Sequence, residues 1–456
     1  MNFGACELGD KRRTDRLVRV AEQIADNPSA SLPNQTEVWS DLKAAYRMFD
    51  REEVTFEAIA GTHWELTKER ATRHTLVIGD TTELDFGGLR QIKGVGPTGN
   101  GSGRGFLLHS ALMVDADTEE ILGVAGQTIH YRKKKPKGQK RPTAPKRLNK
   151  KDRESEVWGQ VIDQIGPPAE GHSYTHVFDR GADNFEVYCH LLQQRSDWLI
   201  RASRLQRYVL VGDAEKSMTL KAYLPQLKIL GRYTLELRAR PGQAARKAEL
   251  EVRVGKVKVP RPRHVSRWVK KLNPAPIPMT VLEVVEVNAP QGVTPIRWIL
   301  FTSLPVATFD DAWTIIGYYE LRWLVEEYHK ALKTGCRTES SQLKTADRLE
   351  AFVGLTSVVA VRLLQLKSLA RTNPDVPAPK AIPKIWLEML KLARKNLNRA
   401  EDLTVGQFYR EVAKLGGFLG RKSDGDPGWI TIWRGWEKLN MYVFVASRLG
   451  RGNKCG

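Results

Sequence analysis

Tyr319, Arg322, Glu326 and Lys333 fall at i, i+3, i+7 and i+14 of one candidate helix. At about 100° per residue they share an arc of roughly 60°. A carboxylate set between two cations, with a tyrosine beside them, suits metal-dependent chemistry on a DNA phosphodiester. Glu326 would hold a hard divalent ion. Arg322 would grip phosphate through its planar fork, and Lys333 would act as a point charge. Tyr319 offers a hydroxyl to the same backbone. Leu324, Val325, Tyr328 and Leu332 form an apolar stripe on the opposite side, so the helix is expected to pack by that face. Spacing alone favours the plainer reading, a solvated polar face.

Two more acids stand where a sheet would present them. Asp80 closes the apolar run that starts at Thr75, and Asp179 closes the run that starts at Tyr174. An acid at the end of a buried strand projects at the sheet's edge, where a ligand can approach. Strand-end aspartates also form ordinary turns, so neither marks a site by itself. Glu327 competes with Glu326 for the third place but lies about 100° around the helix, off the shared arc. Three carboxylates are hard oxygen ligands suited to Mg²⁺ or Mn²⁺. Two such ions, about 3.5–4 Å apart, can activate a nucleophile and stabilise the leaving oxygen of an in-line displacement.

The segment Tyr319–Gly335, YELRWLVEEYHKALKTG, resembles the tyrosine–arginine–glutamate–lysine signature of bacterial insertion-sequence DDE transposases of the transposon Tn5 type. The likeness continues through Arg297–Ser303 and Val358–Leu366, and runs from about Leu8 to near the C-terminus. It implies that Asp80, Asp179 and Glu326 are the catalytic, metal-binding triad, holding two Mg²⁺ or Mn²⁺ ions. It implies DNA contacts at Tyr319, Arg322, Lys330, Lys333 and Arg201. Trp298 matches the family's tryptophan that stacks on a base displaced during hairpin formation, a contact worth on the order of 1–3 kcal/mol. A tryptophan in a strand also fits a core position. The implied reaction is cut-and-paste transposition: a nick, a hairpin on the transposon end, hairpin opening and joining to target DNA. The implied partners are double-stranded DNA, as ends and as target, and a second copy of the chain in a synaptic homodimer. No nucleotide cofactor and no membrane are expected. Two other classes fit part of the pattern: a catalytically silent DNA-binding, dimerising regulator, and a ribonuclease-H-like DNA nuclease that cuts without joining. Relatives carry a leading helix with a tryptophan before the Leu8–Arg13 motif, and the chain starts almost at that motif. Gln342–Arg348 departs from the typical member at DNA-contacting positions, so end specificity does not carry over.

The elements that must position these residues change character along the chain. Residues 1–73 carry helix signals: Asp10 as a cap for a helix to about Ala25, then helices near Glu37–Phe49 and Thr55–Arg73. Such a small basic helical unit suits a DNA groove, or a cap on the next domain; the resemblance makes it the end-binding domain. Residues 74–370 read as the catalytic core. Strands are expected at Thr75–Asp80, Phe106–Val114, Glu120–His130, Tyr174–Asp179 and Trp198–Ala202, with helices at Lys151–Gly166 and Asn184–Gln194. That order fits an α/β fold with a ribonuclease-H-like mixed sheet. Between about 203 and 303, alternating runs such as Tyr233–Leu237, Ala248–Val254 and Thr280–Val287 indicate a β-rich insertion. Pro374, Pro377, Pro379 and Pro383 open a helical region, 371–456, which resembles the family's dimerisation region.

Composition agrees with this and excludes other classes. The 456 residues carry 72 Lys and Arg against 52 acids, a net charge of +20 that favours a polyanionic partner. The acid-free run Arg132–Lys151, broken by Pro136, Pro142 and Pro145, is expected to be a loop touching phosphates or simply solvated. Cys6, Cys189, Cys336 and Cys455 are scattered without a C-x-x-C pair, which points to a reducing cytoplasm and to no disulfide framework or zinc ribbon. His172, His176, Cys189 and His190 match no common zinc spacing. Gly99–Gly105 lacks the Lys-Ser/Thr ending of a phosphate loop and leads into a strand. Val353–Leu369 is apolar but interrupted by Arg362, Gln365 and Lys367, as in a buried core helix.

Overall fold

The computed structural model describes residues 2–36, 38–87, 91–133, 153–237, 244–394, 397, 402–421 and 424–452. All but the first two residues of the basic run Arg132–Lys151 lie outside the described residues. Four helices come first: α1 (Lys11–Asp26), α2 (Leu32–Gln35), α3 (Trp39–Phe49) and α4 (Phe56–Glu69). Asp10 caps α1 by accepting the Arg12 amide at 2.8 Å. Leu17, Val20, Ala21 and Ile24 follow at helical spacing, and all are buried.

The sheet begins with β1 (His74–Asp85), β2 (Gly96–Thr98), β3 (Gly103–Asp115) and β4 (Ile121–His130). Helix α5 (Glu156–Ile165), β5 (Ser173–Phe178), α6 (Phe185–Gln193) and β6 (Asp197–Arg201) complete the core. The strands stand in the order β4-β3-β1-β5-β6, with β1 antiparallel to β3 and parallel to β5, and β5 parallel to β6. This is the mixed ribonuclease-H-like sheet. The insertion supplies β7 (Tyr208–Val211), β8 (Lys216–Thr219), α7 (Leu220–Tyr223), β9 (Lys228–Leu237), β10 (Arg246–Val259), α8 (Arg267–Leu272), β11 (Ile277–Val287) and β12 (Arg297–Thr302). Its strands join the core sheet directly, β12 pairing with β6, so one 12-stranded sheet runs through both parts.

Two helices, α9 (Phe309–Glu320) and α10 (Trp323–Lys330), return to the core. Next come α11 (Ala346–Thr372), α12 (Ala378–Ala381), α13 (Lys384–Ala393), α14 (Val405–Leu415) and α15 (Trp429–Gly452). α11 is long and apolar enough to cross a membrane by composition, yet it is mostly buried within the fold. Leu349, Val353, Leu355 and Leu364 of α11 share a core with α1, α4, α10 and one face of β1. The opposite face of the sheet is covered by α5 and α6 through Val157, Ile162, Val187 and Leu191. Trp433 of α15 lies against Gly335, where an added Cβ would sit 2.3 Å from the ring, so α15 packs on the turn that follows α10.

Candidate active site

β1 is the central strand, and its burial changes at one residue. Thr75 to Gly79 are buried, whereas Asp80 to Glu83 are only part-buried. The change coincides with the end of pairing to β5: Gly79 opposes Phe178, the last residue of β5. Beyond that point β1 has β3 on one side and no strand on the other, so Asp80 and Asp179 stand together at the mouth between two parallel strands. Gly79 is required there, because a Cβ would lie 2.6 Å from the Phe178 ring. Side chains alternate along a strand. Asp80 therefore shares the face of Leu76 and Ile78, and Asp179 that of Val177, which is the face covered by α10.

The expected single helix is broken. α9 ends at Glu320, Leu321 and Arg322 form a tightened turn in which the Arg322 amide bonds the Tyr319 carbonyl at 3.2 Å, and α10 starts at Trp323. After Lys330 the chain widens into a π-turn, Ala331–Gly335, closed by the Cys336 amide on the Ala331 carbonyl at 2.9 Å. The ideal stripe therefore does not survive. Arg322 and Glu326 keep their relation, with Arg322 Nη2 at 2.6 Å from Glu326 Oε1. Arg322 Nη1 also reaches Asp80 Oδ2 at 3.3 Å, so one guanidinium joins the first acid to the third. Lys333 is carried along β1 instead: its Nζ donates to the Glu83 carbonyl at 2.9 Å and pairs with Glu339 at 3.1 Å.

Asp179 Oδ1 accepts the Gly181 amide at 2.7 Å and begins the short turn Arg180–Ala182. Asp80 Oδ1 accepts the Thr81 amide at 2.7 Å. Burial pushes the Asp80 carboxyl up, against the Thr81 amide. The charges of Asp179 and Glu326 add to the rise, Arg322 opposes it, and the outcome is about 6. Burial works against the charge of Arg322, but Glu326, Tyr319 and Asp80 outweigh it and raise its pKa. Among the described residues, no three His, Cys, Asp or Glu side chains form a closed ligand cluster. The donor set is nevertheless all carboxylate oxygen, with acid charge in excess of the one bridging cation. That chemistry fits a hard divalent ion.

Around the acids, Tyr319 is buried with Arg201 close enough to act on its hydroxyl; its ring meets Trp298 edge-on at 5.2 Å. Burial raises the Tyr319 pKa, against the pull of Arg322 and Arg201. Arg201 also donates to the Arg297 carbonyl at 3.1 Å. Tyr319, Arg201 and Trp298 thus form one wall beside Arg322. Lys330 is placed elsewhere, 4.6 Å above the exposed Trp323 ring. Glu327, the rival third acid, is buried in an ion pair with Lys367 on α11 and is held away from the cleft.

Two features were missed in the sequence. Glu339 ties the π-turn to β1 through Lys333 and the Asp85 amide (2.9 Å), a contact that spacing cannot reveal. On α3, Trp39, Lys43 and Arg47 form an exposed stripe at i, i+4 and i+8, with Trp39 74% exposed; that spacing was readable.

Three protein-family models match the chain: Transposase DNA-binding over residues 1–54, Transposase DDE domain over residues 147–362, and Transposase Tn5 dimerisation domain over residues 358–453. Asp179 and Glu326 fall within the DDE match, whereas Asp80 precedes it and its place rests on the pairing of β1 with β5.

Proposed function

The chain belongs to the bacterial insertion-sequence DDE transposases of the Tn5 type, and on that premise we propose that it cuts transposon ends through a DNA hairpin and joins them to target DNA. As a member of the family it is a DNA transposase, a DNA-cleaving and strand-transferring enzyme with DNA as its partner and a dimerisation domain at its C-terminal end. The observation that carries the finer reading is the meeting of Asp80, Asp179 and Glu326 on the α10 side of the sheet, with Arg322 spanning two of them.

Asp80, Asp179 and Glu326 are the ligands in this reading. Two Mg²⁺ or Mn²⁺ ions held by them would supply an activated nucleophile and a stabilised leaving oxygen. Arg322 keeps the acids in register and has the planar fork to exchange a carboxylate for a phosphate oxygen. Tyr319 and Arg201 add donors to the strand backbone on the same wall. Trp298, beside Tyr319, offers a face for a base displaced when the end folds into a hairpin. Lys333 and Lys330 contribute charge further along the DNA path. The Trp39–Lys43–Arg47 stripe of α3 enters the groove of the end. Met441, Tyr442 and Val445, exposed on α15, form the apolar part of the dimer contact. The cytoplasm is where such an enzyme meets its DNA.

The test uses duplexes bearing the inverted repeats that flank the gene, with Mg²⁺ and the full-length chain. Hairpin ends followed by joined products support the reading. Binding without cleavage by the native chain assigns it to a silent regulator, and cleavage without joining to a nuclease. Cleavage that survives Glu326→Gln removes Glu326 from the site.

A further inference from the structure

The insertion carries a second concentration of charge, remote from the acids. From Val252 to Leu282 there is no Asp or Glu, while Lys258, Arg261, Arg263, Arg267, Lys270 and Lys271 crowd the β10–α8 connection. The fold holds this segment firmly with its cations outward. Val257 and Val259 point into the core, and exposed Lys256 and Lys258 alternate with them. Val269 is fully buried, Trp268 stacks on His190 of α6 at 4.4 Å, and the Ser266 amide donates to Glu186 at 2.8 Å. Arg261 is tied to Asn273 at 2.7 Å. Lys258 pairs with Glu215, but Arg263, Arg267, Lys270 and Lys271 form no ion pair among the described residues. Elsewhere in the insertion Arg232, Arg246, Arg253 and Arg297 all have glutamate partners. Exposed like charges on an anchored loop repel one another until a polyanion neutralises them.

The chemistry of the patch selects the kind of polyanion. Trp268 is part-buried with one face stacked on His190, a packed position poorly suited to stacking unpaired bases. Leu272, 38% exposed, is the only large apolar side chain displayed between Lys256 and Asn273, too little to enter a bilayer. What remains is a row of cations suited to the phosphates of a duplex. β10 lies four strands from β5, roughly 19 Å at the usual spacing. α8 is packed on the α6 side of the sheet, not the α10 side.

We propose that Arg263, Arg267, Lys270 and Lys271 form a second, sequence-independent duplex-binding surface that grips DNA away from the scissile phosphate. The proposal rests on the transposase reading for its partner, either target DNA or DNA flanking the transposon end. It is tested by binding in a Glu326→Gln background, so its outcome is separate from that of the catalytic reading. The full-length chain carrying R267A, K270A and K271A is titrated with a random-sequence duplex from low to high salt. The slope of log affinity against log salt is expected to fall in magnitude by about 2–3, with a loss of roughly tenfold or more near 0.1 M salt. A control with K380A, K384A and K391A, which removes equal charge from the C-terminal helices, is expected to keep the slope. The source of the DNA is read in the catalytically competent chain. Reduced joining of pre-cut ends assigns the patch to target DNA, and a defect that grows with flank length assigns it to flanking DNA. An unchanged slope, an equal loss in the control, or a loss seen only with single strands overturns the proposal.

Discussion

The insertion and the acid site both bury carboxylates beside arginine, with opposite results. In the insertion Glu251 accepts from Arg232 at 2.7 Å and from Arg253 at 2.6 Å, Glu283 accepts from Arg297 at 2.8 Å, and Glu286 is paired with Arg246. Burial pushes the Glu251 carboxyl up, but its two arginines more than reverse this and leave it below the usual range. Its bond to Arg246 holds Glu286 low as well. At the mouth of β1 and β5 burial again pushes a carboxyl up, but a single guanidinium serves both Asp80 and Glu326 while Asp179 adds further negative charge, and Asp80 rises to about 6. Fully compensated acids hold strands together; under-compensated ones are the kind found at functional sites.

The sharpest way to break this contrast is to neutralise one acid of each kind. Glu326→Gln is expected to lower end cleavage by on the order of 10³-fold or more while leaving the melting temperature unchanged or slightly higher. Glu251→Gln is expected to do the reverse, lowering the melting temperature by a few degrees while cleavage persists in the folded protein. Equal losses of activity in the two variants would erase the distinction.

Adjacent residues on α10 sharpen it further. Glu327 differs from Glu326 by one step of the helix, yet it is locked to Lys367. Burial pulls the Lys367 pKa down, and Glu327 opposes that pull. Glu327→Gln would leave a buried ammonium without its counter-ion, at a cost of about 3–5 kcal/mol. Chemical denaturation should show that loss, and cleavage per folded molecule should remain near native. A catalytic defect without destabilisation would make Glu327 a ligand.

Much of this arrangement was legible in the residues because it depends on local pattern. The runs ending at Asp80 and Asp179 became parts of β1 and β5; Phe178 is the last residue of β5, whereas β1 continues past its apolar run to Asp85 because β3 still pairs with it. Helix angle separated Glu326 from Glu327 in the sequence, and in the fold Glu326 pairs with Arg322 whereas Glu327 pairs with Lys367. The rest depends on contacts distant in sequence. No proline or glycine between Tyr318 and Ala331 announces the turn at Leu321–Arg322. The π-turn that sends Lys333 to Glu83 has no signature either. The insertion's strands were visible as alternating runs, but their fusion with the core sheet is set by β12 pairing with β6, about a hundred residues away.

The smallest expected effect concerns stability, and its sign follows from Asp80. Its carboxyl is raised from 3.8 to about 6 in the folded chain, so between those values the native state binds more protons than the unfolded one. Stability therefore rises as pH falls through 6, and the penalty is fully present above it. A shift of that size corresponds to about 3 kcal/mol at most. In protein treated with a chelator, Asp80→Asn should raise the melting temperature at pH 8, and the gain should vanish below about pH 4, where the native aspartate is also neutral. Divalent ions should stabilise the native chain at pH 8 and stabilise the asparagine variant less, because the variant has lost one buried carboxylate charge for them to offset. A variant with the same gain at every pH would show that Asp80 is strained by packing alone, and the acid site would then resemble the insertion after all.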